Sequence, residues 1–226
     1  AHPVFGMQIR QALQRGAKLI VVDPRNIGLS KQAAVHLKLK PGTNVAFANG
    51  MMHVILEEGL EDRSFIESRT EGFEALRDLV KDYTPERVAE DLRTAARLYA
   101  KADRAPILYC LGVTEHSSGT EGVMSLSNLA MLVGKLGHPG CGVNPIRGQN
   151  NVQGACDMGA SPTDFPGYQK VTNPEVRSKF ERAWGVSLPA EPGMFATDCF
   201  PAMLDGTIRG LFIFGEDPMR TDPDTN

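Results

Sequence analysis

Arginine and carboxamide side chains are concentrated in one stretch of the chain, residues 145–159. It reads PIRGQNNVQGACDMG and contains Arg147, Gln149 and Asn150. Because the stretch has little hydrophobic periodicity, these polar groups must find partners in a ligand, a neighbouring loop or water. A guanidinium among amides suits a flat polar anion, since it binds carboxylate or phosphate through a two-pronged fork. The alternative is a solvated loop followed by a helix that starts near Asn151.

Acidic residues follow two of the predicted strands. Asp23 and Arg25 come directly after the apolar run 18–22, and Gly-Glu-Asp at 215–217 follows the apolar run 208–214. An acidic residue at the carboxyl end of a parallel strand is where nucleotide-binding folds hold a ribose or base edge. A simple turn is the alternative at both places, because Asp-Pro favours a turn without any ligand.

Two further loops have the composition of ligand-binding loops. Thr43 or Asn44 can cap the helix that follows, and the free amides of such a helix start can hold phosphate or a base, although most caps bind nothing. Residues 112–119 join a strand to a helix, so this loop lies at the carboxyl edge of a sheet, where ligands bind. His116 in this loop is a candidate general base, but a loop histidine without a visible partner is more often incidental.

Alternating strands and helices position these loops. Strands are predicted at 18–22, 35–39, 105–111 and 208–214; helices at 4–15, 45–58, 62–68, 71–80, 86–100, 120–135, 173–184 and 198–204; and loops at 137–144 and 161–168. Continuous apolar runs are typical of strands buried on both faces of a parallel sheet. The alternation predicts an α/β fold with two doubly wound, Rossmann-like units. We place the domain boundary near Gly148, with one α/β domain over 1–148 and a second over 149–226.

Composition argues against several classes of partner and site. The formal charge is −3 and the basic residues are scattered, which leaves no basic face for nucleic acid. No apolar run approaches the length of a membrane span. The four cysteines are widely spaced without a Cys-x-x-Cys, so a zinc or iron–sulfur site made by this chain alone is not expected. Free, buried thiols in a reducing compartment such as the cytoplasm are the expectation.

Short motifs in a fixed order run through nearly the whole chain. They are AHP at 1–3, VDPR at 22–25, YTPE at 83–86, LGVT at 111–114, the stretch at 145–159, GEDP at 215–218 and TD at 221–222. Their order and the long polar stretch resemble the molybdopterin oxidoreductases, and among them the catalytic subunits of formate dehydrogenases. The chain departs from this pattern between Glu90 and Asp91, where relatives carry an extra turn, and at Glu115, where an amide is more usual. Its first and last residues predict an internal fragment of a longer polypeptide.

The resemblance implies a large pterin cofactor and a small carboxylate substrate. Such proteins bind two molybdopterin guanine dinucleotides around molybdenum or tungsten, with a 4Fe-4S cluster nearby, and oxidise formate to carbon dioxide. The metal ligand and the cluster cysteines would lie outside this chain, so the isolated chain is expected to be inactive. Its fold would be an incomplete version of the formate dehydrogenase and DMSO reductase domains. Its partners would be formate, the rest of the same polypeptide and electron-transfer subunits.

The resemblance also implies roles for individual residues. Arg147 would be catalytic, because a guanidinium beside the metal holds the oxygens of formate and stabilises charge. Gln149 and Asn150 would bind the pterin, and the guanosine of the second dinucleotide would contact Asp217 and Thr221. The implied cofactor-binding residues are Asp23, Arg25, Gly42, Asn44, Gly112, Val113, Thr114, Gln149, Asn150, Gly215, Glu216, Asp217 and Thr221.

Two other functions fit the same sequence. One is a relative with the same scaffold and another task, such as a nitrate reductase or a respiratory-complex subunit that has lost the metal cofactor. The other is a non-enzymatic module that uses a nucleotide-binding fold for assembly. The amide-rich stretch at 145–159 favours formate dehydrogenase over both.

Overall fold

Short paired strands alternate with helices along the described part of the chain. The computed structural model describes residues 2–88, 91–149, 151–215 and 217–221. The chain folds into two compact units, unit 1 over 1–148 and unit 2 over 149–226. The mixed helix–strand fold that the sequence predicts is confirmed. None of the described helices is long and apolar enough to cross a membrane.

Unit 1 contains two parallel strand pairs and most of the helices. Its strands are β1 (Ile20–Val22), β2 (Val35–Leu37), β3 (Pro106–Tyr109) and β4 (Gly142–Pro145). Its helices are α1 (Pro3–Gln14), α2 (Asn44–Glu57), α3 (Arg63–Arg69), α4 (Phe73–Leu79), α5 (Pro85–Val88), α6 (Leu92–Lys101), α7 (Leu111–Thr114) and α8 (Gly119–Leu132), with 3₁₀ turns at Ser30–Gln32 and Val80–Asp82. β1 pairs with β2, and β3 pairs with β4. Parallel strands need a crossover connection, which α7 and α8 provide between β3 and β4.

Helix α2 forms the centre of the unit 1 core, between α6 and α8. Met52, Val54 and Ile55 are fully buried on α2, as is Leu92 at the start of α6. Gly50 on α2 permits the close approach of α2 and α6, because a Cβ there would lie 2.7 Å from Leu92 Cδ2. Burial of this apolar surface, about 25 cal/mol per Å², is the main source of stability in unit 1.

Unit 2 has a much smaller core. Its elements are α9 (Val152–Asp157), β5 (Asp164–Phe165), β6 (Gln169–Lys170), α10 (Pro174–Trp184), α11 (Ala196–Leu204) and α12 (Pro218–Thr221). The strands form an antiparallel hairpin. The ring centroids of Phe165 and Phe180 are 4.8 Å apart, and the Trp184 ring packs 5.0 Å from that of Phe180. Asn173 begins α10 by accepting hydrogen bonds from Glu175 N and Val176 N, as expected of an N-cap.

The strand predicted over 208–214 is wrong. These residues have no regular secondary structure, and Phe212 and Phe214 are 92% and 89% exposed. A parallel strand is stable only when neighbouring strands take its backbone hydrogen bonds and helices cover its faces. Among the described residues, no strand pairs with this run. The apolar composition of the run indicates a tendency to be buried, but it does not show whether a neighbouring strand is present to pair with it.

Two loop predictions are also wrong. The predicted loop 137–144 contains most of β4, and the loop 161–168 contains β5. Glycine, proline and asparagine led to the first error, but such residues are tolerated in short edge strands. The strands are also less buried than predicted, since Val22 is 38% and Leu108 is 40% exposed. The doubly wound arrangement is not confirmed, because the described strands pair only two by two.

Removal of the buried Leu92 side chain tests the packing of α2 against α6. Leu92→Ala leaves a cavity in the core and is expected to lower the free energy of unfolding by about 2–5 kcal/mol. Urea unfolding followed by circular dichroism measures the change. The matched control is Leu204→Ala, because Leu204 is 92% exposed and its truncation is expected to change stability by less than about 0.5 kcal/mol. Equal losses in the two variants would contradict this description of the core.

Candidate functional site

The carboxyl ends of β3 and β4 lie side by side in unit 1. Ile146 N donates a hydrogen bond to Tyr109 O at 2.7 Å, so the pairing of the two strands extends one residue past β4. Arg147 is the next residue and its side chain is exposed. Helix α7, which contains Gly112, Val113 and Thr114, follows β3 at the same edge. The structure therefore places Arg147 and the predicted cofactor loop after two adjacent strands.

The start of α2 also contacts this edge. Asn44 Nδ2 donates a hydrogen bond to Gly112 O at 3.2 Å, although the two residues are 68 positions apart in sequence. Thr43 occupies the N-cap position of α2 without a side-chain capping bond, and its hydroxyl donates to Lys40 O instead. Two of the predicted cofactor loops, at Asn44 and at Gly112, are thus in direct contact.

Glycines in α8 let this helix approach α7 closely. A Cβ at Gly119 would overlap the carbonyl of Thr114, and a Cβ at Gly122 would lie 3.3 Å from Val113 Cγ1. Gly119 N also donates to His116 O at 2.9 Å. Neither glycine is predicted from the sequence to be a packing residue, although their spacing of three on one helix face could have indicated close packing.

Gly42 and Gly112 are each open on the side where a side chain would stand. Apart from the adjacent residues and the backbone of the same helix, no described atom lies within 4 Å of the position that a Cβ would take at either glycine. Gly42 has φ of +84°, a conformation that favours glycine. An extended polar ligand can therefore reach the backbone at both loops.

Asp23 and Arg25 form a second polar group, at the carboxyl end of β1. The Arg25 guanidinium donates to both carboxylate oxygens of Asp23, each at 3.2 Å, and Arg25 N donates to Asp23 Oδ1 at 2.8 Å. His36 Nε2 lies 3.0 Å from Asp23 O. The hydrogen bond from Arg25 lowers the pKa of Asp23, against the opposing effect of partial burial. This carboxylate is therefore ionised at neutral pH, with Arg25 as its partner.

In unit 2, the residues after Gln149 are connected to the β5–β6 hairpin. Gln149 is exposed, Asn151 begins α9 with φ of +49°, and Asn150 lies outside the described residues. Gln153 Nε2 donates to Asp157 Oδ1 at 3.0 Å and to the Tyr168 hydroxyl at 2.7 Å. Tyr168 is not among the site residues predicted from the sequence, and its backbone φ of +58° has no signal in the sequence.

The second predicted acidic loop is only partly described. Gly215 has φ of +73° and follows an irregular segment, not the predicted strand. Asp217 Oδ2 lies 3.5 Å from Arg220 Nε. Glu216 and the side chain of Thr221 lie outside the described residues.

All four cysteines are free and half-buried: Cys110, Cys141, Cys156 and Cys199. Within the described ranges, no group of three or more His, Cys, Asp or Glu side chains is arranged to hold a metal ion.

Comparison with known proteins gives consistent results. The sequence profile of the family described as Molybdopterin oxidoreductase matches residues 1–226. Formate dehydrogenase H of Escherichia coli is 50% identical over 98% of this chain and 32% of its own length. The assimilatory nitrate reductase catalytic subunit of Bacillus subtilis is 34% identical over 100% of this chain and 33% of its own length. The chain thus spans about a third of the length of these relatives.

A solved structure also resembles part of the chain. Acetylene hydratase from Pelobacter acetylenicus matches with a TM-score of 0.56 and 32% sequence identity. The match covers 58% of this chain and 19% of that protein.

Substitution of Arg25 tests the ion pair with Asp23. Arg25→Gln is expected to raise the pKa of Asp23 towards its ordinary value of about 3.8, because the charged donor is lost. Since the pair lowers this pKa in the folded chain, its stabilisation is present above about pH 4 and is lost as the pH falls through the lowered pKa. A ¹³C NMR titration of the aspartate side chains measures the shift. The control is Lys81→Gln, which removes the partner of Asp78 and should leave the pKa of Asp23 unchanged. An unchanged Asp23 pKa in Arg25→Gln would refute the pairing.

A methyl group at Gly119 tests the close contact between α8 and α7. Gly119→Ala is expected to displace residues 111–114 and to cost about 1–3 kcal/mol of stability, because the new Cβ overlaps the Thr114 carbonyl. Hydrogen exchange of peptides that cover 111–119 would become faster. The control is Gly28→Ala, where no described atom outside the adjacent residues lies within 4 Å of the added Cβ. Identical exchange in the two variants would rule out the contact.

Proposed function

Because the chain belongs to the molybdopterin oxidoreductase family, we propose that it forms the cofactor-binding part of a formate dehydrogenase catalytic subunit. The protein at its natural length would oxidise formate to carbon dioxide. The observation that carries this proposal is the 50% identity to formate dehydrogenase H across 98% of the chain. The more distant nitrate reductase, at 34% identity, supports the family rather than the substrate.

Features of the described loops support the binding of a large pterin dinucleotide. The open main chain at Gly42 and Gly112 lets a polar ligand approach the backbone, and Asn44 brings these loops together. The ionised Asp23 carboxylate retains acceptor capacity beside its bonds to Arg25, which suits the N–H donors on a guanine edge. We propose two molybdopterin guanine dinucleotides with molybdenum or tungsten, and a doubly wound arrangement of the complete domains.

Arg147 would hold the substrate. Formate is a planar anion with two oxygens, and a guanidinium can bind both oxygens at once. A guanidinium keeps its positive charge, so Arg147 orients formate and stabilises negative charge without exchanging a proton. The bound metal–pterin group would supply the two-electron acceptor for this oxidation, in which formate becomes carbon dioxide and gives up two electrons and one proton. The exposure of Arg147 at the end of β4 supports this role, because the side chain is free to meet a ligand.

Other parts of the proposal concern residues that follow Arg147. Gln149 and Asn150 would hydrogen-bond the pterin, and Gly215, Glu216, Asp217 and Thr221 would contact the second dinucleotide. The metal ligand and a 4Fe-4S cluster would come from polypeptide outside this chain. Electrons would leave through the cluster to electron-transfer subunits, in a cytoplasmic enzyme.

Nitrate reduction is the second candidate. Nitrate is also a planar anion with oxygens in one plane, so Arg147 would suit it as well. The nitrate reductase relative is similar over 100% of the chain, which is why this activity must be assayed beside formate oxidation. A non-enzymatic assembly module is separated from both by metal and pterin analysis, because it would contain neither.

Substitution of Arg147 in the protein at its natural length tests the proposal. Arg147→Ala is expected to lower kcat/KM for formate oxidation at least about a hundredfold, as for the loss of one preorganised charged donor. Reduction of a viologen dye by formate measures the rate. Arg147→Lys keeps the charge but loses the two-pronged fork, so it is expected to recover only part of the activity.

The matched control is Arg104→Ala. Arg104 is an exposed arginine just before β3, at the amino end of the same strand pair, and its removal is expected to leave the rate within about twofold. Formate oxidation that survives Arg147→Ala within a few-fold would remove Arg147 from the substrate site. Nitrate reduction without formate oxidation in the unsubstituted protein would replace the first candidate with the second.

A further inference from the structure

The peptide unit between Gly112 and Val113 is held by hydrogen bonds on both sides. Gly112 O accepts from Asn44 Nδ2 at 3.2 Å and lies 3.1 Å from His116 Nε2. Val113 N donates to Cys110 O at 3.0 Å. The carbonyl and the amide of a peptide unit are fixed in one plane, so these bonds together determine the orientation of the whole unit.

His116 takes the place of a helical backbone donor. The backbone bonds of α7 reach Glu115, whose N donates to Leu111 O at 2.9 Å. The next carbonyl, Gly112 O, would accept from His116 N if the helix continued, and it receives the imidazole of His116 instead. Side chains commonly satisfy the last carbonyls of a helix in this way.

The direction of this hydrogen bond follows from its partners. A carbonyl oxygen only accepts, so His116 Nε2 must carry the hydrogen. That nitrogen is therefore occupied as a donor and is not available to remove a proton from a substrate. His116 Nε2 therefore does not support the sequence-based hypothesis that His116 is a general base. The geometry favours a role in positioning the Gly112 carbonyl.

We propose that His116 is a positioning residue for the cofactor loop: with Asn44, it holds the Gly112–Val113 peptide in the orientation that receives the pterin dinucleotide. The inference rests on the proposed function in one respect, the identity of the ligand. Gly112 has no Cβ, and outside the adjacent chain no described atom stands where a Cβ would be, so no side chain of Gly112 restrains its peptide unit if these donors are lost. A loop that is already in its bound orientation loses less entropy when the ligand binds.

The test compares His116→Ala and His116→Gln in the protein at its natural length. Loss of one net hydrogen bond is expected to speed pterin release on warming about fivefold in His116→Ala. Release is followed by the fluorescence of the oxidised pterin. His116→Gln can still present an N–H to Gly112 O, so it is expected to stay within about twofold of the unsubstituted protein.

The matched control is His138→Ala. His138 is an exposed histidine that precedes β4, at the opposite edge of the same strand pair, and its removal is expected to leave pterin release unchanged. Equal release from His116→Ala and the unsubstituted protein would overturn the inference. Equally fast release from the Gln and Ala variants would also overturn it, because the donor would then not be the cause.

Hydrogen exchange at the Val113 amide separates this inference from the proposed function. His116→Ala is expected to speed this exchange about fivefold, with or without cofactor, because the Val113–Cys110 bond then opens more often. If the unsubstituted protein contains no pterin, the proposed function fails, but faster exchange at Val113 still supports the positioning of the peptide. Unchanged exchange at Val113 would refute the positioning even in a protein that binds pterin.

Discussion

The parallel pairing of β3 with β4 is the constraint on which the candidate site depends. The bond from Ile146 N to Tyr109 O continues this pairing to the residue before Arg147. The strands β3 and β4, which are far apart in sequence, therefore end at the same edge. β4 is followed there by Arg147, and β3 is followed by α7. A parallel pair needs a long crossover, and here the crossover itself supplies α7 and α8 beside the strand ends.

The rest of the site consists mainly of backbone held in place by a few side chains. Asn44 connects α2 to α7 through its hydrogen bond to Gly112 O. The glycines of α8 allow α8 to pack closer to α7 than larger residues would permit. Such an arrangement leaves main-chain groups accessible to a ligand, while the buried α2 provides a rigid support beneath them. Precise sites are generally built on elements whose own positions are fixed by packing.

The sequence predicts the local elements better than their partners. The helices at α1, α2, α8 and α10 lie within a few residues of their predicted positions, because periodicity and caps are local signals. A loop is predicted in place of β4 because its glycine and proline are unfavourable in strands. β4 forms through its pairing with β3, which the local sequence does not indicate. Arg147 stands out by residue type alone, whereas the contact between Asn44 and Gly112 joins residues 68 apart and has no local signal.

The uncovered apolar run over 208–214 has a consequence for handling the chain. It contains no proline and one charged residue, Arg209, and short apolar segments of this kind readily stack with copies of themselves. Self-association of this sort depends steeply on how many molecules share a given volume. Dilution should therefore favour separate molecules of the isolated chain.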